Sequence, residues 1–68
     1  MSKTVMEYLL RMWQAWIDTG LDFWVWYHAF RRNVQYACSW TQKGWSDDEI
    51  IRCLDVIDDI PAEAARVQ

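Results

Sequence analysis

The chain has 68 residues and carries seven Lys and Arg against ten Asp and Glu, which gives a formal charge of −3 at pH 7. This length allows a single domain, and 53% hydrophobic residues exclude intrinsic disorder. Two Gly and one Pro argue against a many-turned β-sandwich or a low-complexity chain. A core this small gives only marginal stability, so we expect the chain to need a staple, a metal or a partner.

The first amphipathic segment predicts a helix over about residues 4–18. Thr4 and Glu7 have the spacing of a capping box, in which a hydroxyl and a carboxylate each satisfy a backbone donor. Thr19 and Gly20 are the predicted break after this helix. One long helix that continues through Gly20 is the alternative.

A second helix is predicted over about residues 21–43. Thr19 and Asp22 form a weaker capping box before it. Gly44 follows the last periodic residues and can take the left-handed conformation that closes many helices. The first two helices are therefore expected to form a hairpin.

The third helix is predicted over about residues 47–60 and has the clearest start signal. Ser46 and Glu49 form a capping box, and Pro61 stops the helix because it cannot continue the hydrogen-bond ladder. A short final turn over 61–67 could follow. All of these elements belong to one helical domain over 1–68.

The apolar faces of the first two helices are unusually wide. In the first helix the apolar residues cover an arc of roughly 220°, whereas a helix with one neighbour needs only about 100°. The third helix is an ordinary amphipathic helix and can cover only one side of the hairpin. Each of the first two helices must therefore bury a second side against something else.

These faces predict an all-α fold, a helical hairpin plus a third short helix, completed as a dimeric helical bundle. A hydrophobic dock for a different protein is the alternative, and the two interpretations can hold together. Aromatic residues dominate the expected dimer interface. They are Trp13, Trp16, Trp26, Phe30, Tyr36 and Trp40.

Trp24 lies on the polar side of the predicted second helix, beside His28 and Arg31, with Arg32 at the edge. A large indole among polar groups is typical of an interface hot spot, where Trp and Arg dominate. We therefore assign partner binding to these four residues. The alternative is that the third helix or the last turn folds over Trp24.

The sequence offers no catalytic constellation. His28 is the single histidine and has no carboxylate or nucleophile beside it on its helix. Cys38 and Cys53 lie in apolar runs and are expected to be buried, inert thiols without a disulfide. We expect no enzymatic activity, no cofactor and no metal site, since the chain has too few Cys and His for zinc.

Acidic residues concentrate in the last third of the chain. On the predicted third helix Asp48, Asp55 and Asp59 face water and form an acidic face. This face is either ordinary solvated surface or a surface that meets a basic partner. The acidic balance argues against nucleic acid as a partner, and the longest apolar run is too short to cross a membrane.

The function predicted from these features is binding: a small non-catalytic protein that docks on a larger host protein and inhibits or masks it. Small, acidic, tryptophan-rich chains of this kind are often encoded by phages or mobile elements against a host enzyme or defence complex. A small helical DNA-binding transcriptional regulator is the alternative. With no signal peptide in the sequence, a cytoplasmic location is expected.

Overall fold

The computed structural model describes residues 1–58, and the structural statements below concern these residues. They form three α-helices: α1 (Lys3–Asp18), α2 (Phe23–Gln42) and α3 (Asp47–Val56). Each helix packs against the other two, so the predicted all-α fold of a hairpin plus a third short helix is confirmed. None of these helices is long and apolar enough to cross a membrane.

The helix α1 begins earlier than predicted because Ser2 caps it. The Ser2 hydroxyl accepts a hydrogen bond from the Val5 backbone N–H at 3.2 Å. Thr4 therefore lies inside the first turn, and its predicted role as the cap is wrong. Ser and Thr are both good caps, so the sequence alone did not separate them.

The helix α2 is separate from α1, which excludes one long helix through Gly20. Gly20 has φ +75°, a left-handed conformation that ends α1. Asp22 caps α2 by accepting from the Trp24 N–H at 3.0 Å, so α2 begins at Phe23 rather than at residue 21. Thr19 instead donates its hydroxyl to the Trp16 carbonyl at 2.6 Å.

Gly44 ends α2 in the predicted left-handed conformation, with φ +85°. Its N–H donates to the Thr41 carbonyl, and the Trp45 N–H reaches back to the Trp40 carbonyl, each at 3.0 Å. This pair of bonds is a Schellman motif, which usually brings a hydrophobic contact with it. Here that contact is the stack of Trp45 on Trp40, with ring centroids 5.1 Å apart and planes 4° apart.

The helix α3 starts at the predicted cap and ends before the predicted residue. The Ser46 hydroxyl accepts from the Glu49 N–H at 3.3 Å, which confirms Ser46 as the cap. The helix ends at Val56, so the prediction of helix at 57 and 58 is wrong. The rest of the predicted helix, with the turn over 61–67, lies outside the described residues.

The core lies where the three helices meet. The four core residues of α1, from Val5 to Trp16, follow one another at steps of four, three and four positions, which places them on one face of the helix. From α2 it takes small residues, which allow the helix axes to approach closely. The buried hydrophobic residues are Val5, Leu9, Met12, Trp16, Ala29, Ala37, Ile50 and Leu54.

Asn33 is the one polar residue that is fully buried among the described residues. Its Oδ1 accepts from Arg32 Nε at 3.3 Å, while its Nδ2 is buried without a hydrogen-bond partner. The burial of Asn33 was not predicted from the sequence, because an amide normally lies at the surface.

Three side-chain hydrogen bonds tie the end of α3 to the hairpin. Tyr8 donates its hydroxyl to Asp55 at 3.3 Å, and Trp16 Nε1 donates to Asp58 at 3.0 Å. From α2, Arg32 donates to the backbone carbonyl of residue 57 at 3.2 Å. Burial raises the pKa of Tyr8 above its usual value, and the charge of Asp55 and its hydrogen bond add to this effect.

Candidate interaction surfaces

An aromatic patch covers the beginning of α2. We define it as Phe23, Trp24, Tyr27 and His28, whose positions on successive turns bring the rings together. Phe23 contacts Trp24 edge-on and stacks on Tyr27, with centroid distances of 5.1 and 5.4 Å. Trp24 also contacts Tyr27 at 5.8 Å and His28 at 6.1 Å. Trp24 is nevertheless 61% exposed.

Ring contacts connect this patch to the core. Phe23 packs edge-on against Trp26 at 4.8 Å, and Trp26 lies 5.5 Å from Trp13 of α1. Trp13 in turn packs on Phe30 at 4.5 Å, and Phe30 contacts the core residue Trp16. Because aromatic side chains have few rotatable bonds, this continuous packing holds the patch in a defined shape.

The predicted partner-binding residues divide between two places. At about 100° per residue, Trp24, His28 and Arg31 lie within roughly 60° of one another, on the side of α2 opposite the buried residues. All three are exposed. Arg32 is half-buried, and its guanidinium donates to Asn33 and to the carbonyl of residue 57, directly after α3. Its head group therefore belongs to the bundle, which corrects its place at the edge of the patch.

The described part of α3 does not cover Trp24, so the alternative in which this helix folds over it is wrong. The last turn, the other element proposed to cover it, lies outside the described residues. Trp24 therefore remains a candidate for contact with another molecule, and its role in binding stays a prediction.

The residues predicted for the dimer interface do not form one surface. Trp16 is only 2% exposed and lies in the core of a single chain, so it has almost no surface left for a second copy. Trp13, Trp26 and Phe30 are half-buried against one another between α1 and α2. Tyr36 and Trp40 lie further along α2. The structure therefore corrects the assignment of Trp16 to the interface.

Tyr36 and Trp40 instead belong to a second aromatic group at the other end of α2. Tyr36 stacks on Trp40 at 5.4 Å, and Trp40 stacks on Trp45 from the turn that follows. Trp45 was not among the residues predicted from the sequence to lie at an interface. The signal that could have found it is its place directly after Gly44, where a Schellman motif brings a hydrophobic side chain back onto the helix.

A stripe of apolar residues remains exposed on α1. We define the outer stripe as Met6, Leu10, Trp13 and Ile17; Leu10 is 50% exposed, Met6 and Ile17 are also exposed, and Trp13 is half-buried. Trp13 contacts α2, whereas Tyr8 and Trp16 reach α3 on the other side of α1. The outer stripe thus lies on the face of the hairpin away from α3. Of these four residues, Trp13 was predicted to lie in the dimer interface, whereas Met6, Leu10 and Ile17 were predicted only as part of the wide apolar arc of α1.

The thiols and the other side chains that could hold a metal ion are spread over the bundle. Cys38 is exposed, which corrects its expected burial, while Cys53 is half-buried, and both thiols are free. Within residues 1–58 no three His, Cys, Asp or Glu side chains come together in a way that could hold a metal ion.

Of the predicted acidic face, Asp48 and Asp55 are exposed on α3, and Asp59 lies outside the described residues. Asp55 also accepts the Tyr8 hydroxyl, so part of this face serves packing within the bundle. The acidic face is therefore a weaker candidate for contact with another molecule than the aromatic patch.

Comparison with known protein families, curated proteins and solved structures finds no match to this chain. The aromatic patch and the outer stripe both leave apolar side chains exposed on the hairpin, among them Trp24 at 61% and Leu10 at 50%.

Proposed function

We propose that this chain is a non-catalytic protein–protein interaction module that binds a larger protein through the aromatic patch and Arg31. The observation that carries the proposal is Trp24, which is 61% exposed although its ring is held by Phe23, Tyr27 and His28. An exposed indole that is already ordered loses little side-chain entropy when a partner covers it. Such residues dominate interface energetics.

Arg31 adds a charge beside the patch. It lies two turns along α2 from Trp24 and is exposed, so one partner surface can contact both side chains. An apolar pocket flanked by a carboxylate is the complementary surface, because Arg pairs with carboxylates in two-pronged geometry. Binding there would mask the partner's surface and, where that surface is functional, inhibit the partner.

We extend the proposal to a host enzyme or defence complex as the target of a phage- or mobile-element-encoded inhibitor. Its support is the size and composition of the chain: 68 residues, six Trp and a charge of −3. A protein of this size with no catalytic constellation in its sequence acts most readily by occupying a surface. The cytoplasm is the location that this proposal implies.

The proposal also includes self-association. The outer stripe leaves Leu10 half exposed, and an apolar face on a chain this small is commonly covered by a second copy. The DNA-binding alternative has less support, because Arg32 donates into the bundle and the chain is acidic.

Trp24→Ala tests the proposed function. Tagged wild-type and variant chains are used side by side to capture partners from the cells that produce the chain, and the captured proteins are compared by quantitative mass spectrometry. We expect a protein that the wild type retains and the variant loses. With that protein purified, Trp24→Ala should raise the dissociation constant by about 30-fold, which is equivalent to a loss of about 2 kcal/mol in binding free energy.

The matched control is Val56→Ala, which removes an apolar side chain that is 79% exposed on α3. It should leave partner affinity unchanged. The stability of Trp24→Ala should change by less than about 1 kcal/mol, because the indole is already largely in water. Unchanged affinity together with a clear loss of stability would show that Trp24 serves the fold and that the patch is not the recognition surface.

A further inference from the structure

The helix α1 carries two apolar stripes with the same spacing. The core stripe consists of the buried residues Val5, Leu9, Met12 and Trp16. Both it and the outer stripe advance by four, three and four residues. Alternating steps of three and four form the seam along which two helices pack side by side. One stripe is used inside the chain. In the other, Trp13 packs against α2, while Met6, Leu10 and Ile17 are exposed in the pattern of a seam.

A partner helix has room to lie along the outer stripe. Trp13, in the stripe, packs on Phe30 of α2, while Tyr8 and Trp16 turn to α3 on the other side of α1. The free flank of the stripe carries Glu7 and Gln14, both exposed. A second helix on this face would therefore meet α1 and the edge of α2 without meeting α3.

The charges at the two ends of the stripe differ in sign. The next position of the stripe before Met6, three residues earlier, is Lys3. The next position after Ile17, three residues later, is Gly20. Lys3 makes the first end positive. The other end carries Asp18 and the last carbonyls of α1, which have the partial negative charge of a helix C-terminus.

These charges decide the direction in which two copies can pair. A parallel pair would place Lys3 against Lys3 and the negative C-terminal ends of the two α1 helices side by side, which is repulsive at both ends. An antiparallel pair places Lys3 of each copy at the negative end of the other copy's α1. It also places Glu7 opposite Gln14, so no like charges face each other along the flank.

We propose that two copies of this chain pair through antiparallel α1 helices. Met6 of one copy lies opposite Ile17 of the other, and Leu10 lies opposite Trp13. The proposal rests on the self-association proposed above and adds its helix, direction and register. It leaves Trp24 on the far side of α2, so the dimer and a larger partner use different surfaces.

Sedimentation equilibrium of the full chain first tests the surface. We expect wild type to be a dimer and Leu10→Glu to raise the dimer dissociation constant by roughly 100-fold, because two carboxylates enter the seam. Leu10 is half exposed in one chain, so helicity should be retained. Val56→Glu, a charge at an exposed position on α3, is the matched control and should remain a dimer.

Cysteine cross-linking then tests direction and register in a Cys38→Ser, Cys53→Ala background. Met6→Cys and Ile17→Cys are mixed, allowed to exchange and oxidised mildly. Cross-linked heterodimer should form in the mixture and not with either variant alone. In an antiparallel pair two copies of position 6 are separated by about 16 Å along the helix, far beyond the reach of a disulfide.

Three outcomes would overturn the inference, and they are distinguishable. Cross-linked homodimers in the single-variant samples, with no cross-linked heterodimer in the mixture, would show a parallel seam, with self-association intact. A dimer that Leu10→Glu does not weaken would place the interface on another surface. A wild-type chain that stays monomeric at all concentrations would overturn the proposed self-association itself.

Discussion

Single side chains with an apolar body and a polar tip hold the end of α3 in place. The Trp16 indole fills the core while its Nε1 donates to Asp58, and the Tyr8 ring lies at the core edge while its hydroxyl donates to Asp55. A buried indole or phenol usually needs such a partner. Two acidic residues near the end of α3 therefore serve the packing of the bundle.

The raised pKa of Tyr8 makes the stability of the bundle sensitive to alkaline pH. Burial and then Asp55 raise this pKa, so the folded state holds the proton more tightly than the unfolded state. The resulting stabilisation is fully present below pH of about 10 and is lost as pH rises through the folded-state pKa. We expect the free energy of unfolding of wild type to fall more steeply above that pH than that of Tyr8→Phe.

Urea unfolding at a series of pH values measures this difference. Asp55→Asn is the informative companion variant, because it removes the charge and leaves the burial, which is the larger cause. The fall of its free energy of unfolding at alkaline pH should lie between the falls for wild type and for Tyr8→Phe. Identical declines in wild type and Tyr8→Phe would contradict the prediction.

At the scale of elements, the two turns of the bundle depend on glycines in the left-handed conformation. Gly20 closes α1 with φ +75°, and Gly44 closes α2 with φ +85°. A Cβ at either position would meet no atom within 4 Å. Substitution by alanine therefore tests the backbone conformation alone, without a steric clash.

Gly44→Ala should lower the free energy of unfolding by about 1 kcal/mol, the cost of placing an L-residue in the left-handed region. Gly44→Asn should lower it less, because Asn tolerates this conformation. Gly20→Ala makes the same change at the other turn and should lower the free energy of unfolding by about the same amount as Gly44→Ala. Chemical denaturation measures all three, and a Gly44→Ala chain as stable as wild type would refute the prediction.

At the scale of the whole molecule, a small core and an uncovered outer stripe connect stability with self-association. A partner that binds only the folded state stabilises it by mass action. Covering Leu10 and its neighbours would therefore raise the melting temperature as protein concentration rises. The monomer by itself has only the small core to stabilise it.

We expect the Tm of wild type to rise by about 5 °C for each tenfold increase in concentration, given the unfolding entropy of two chains of this size. Calorimetry from micromolar to near-millimolar concentration measures it. The Tm of Leu10→Glu should depend less on concentration than that of wild type. A wild-type Tm that stays constant over this range would rule out dimerisation coupled to folding.

Local patterns in the sequence were enough to predict the elements. The three helices, the cap at Ser46 and the left-handed turn at Gly44 depend on residues within a few positions of one another, where one side chain or one φ value decides. The outward position of Trp24 also followed from its place on the helical wheel. Such features do not require knowledge of which helix lies beside which.

Only the tertiary structure decided how the wide apolar arcs are used. Trp13 and Trp16 lie on the same arc, yet Trp16 is core and Trp13 is in the outer stripe, because α3 covers one side of the hairpin. Arg31 and Arg32 are adjacent, yet Arg32 turns to α3 and Arg31 to solvent. Periodicity gives the angle of a side chain about its own helix, whereas burial depends on where the neighbouring helices lie.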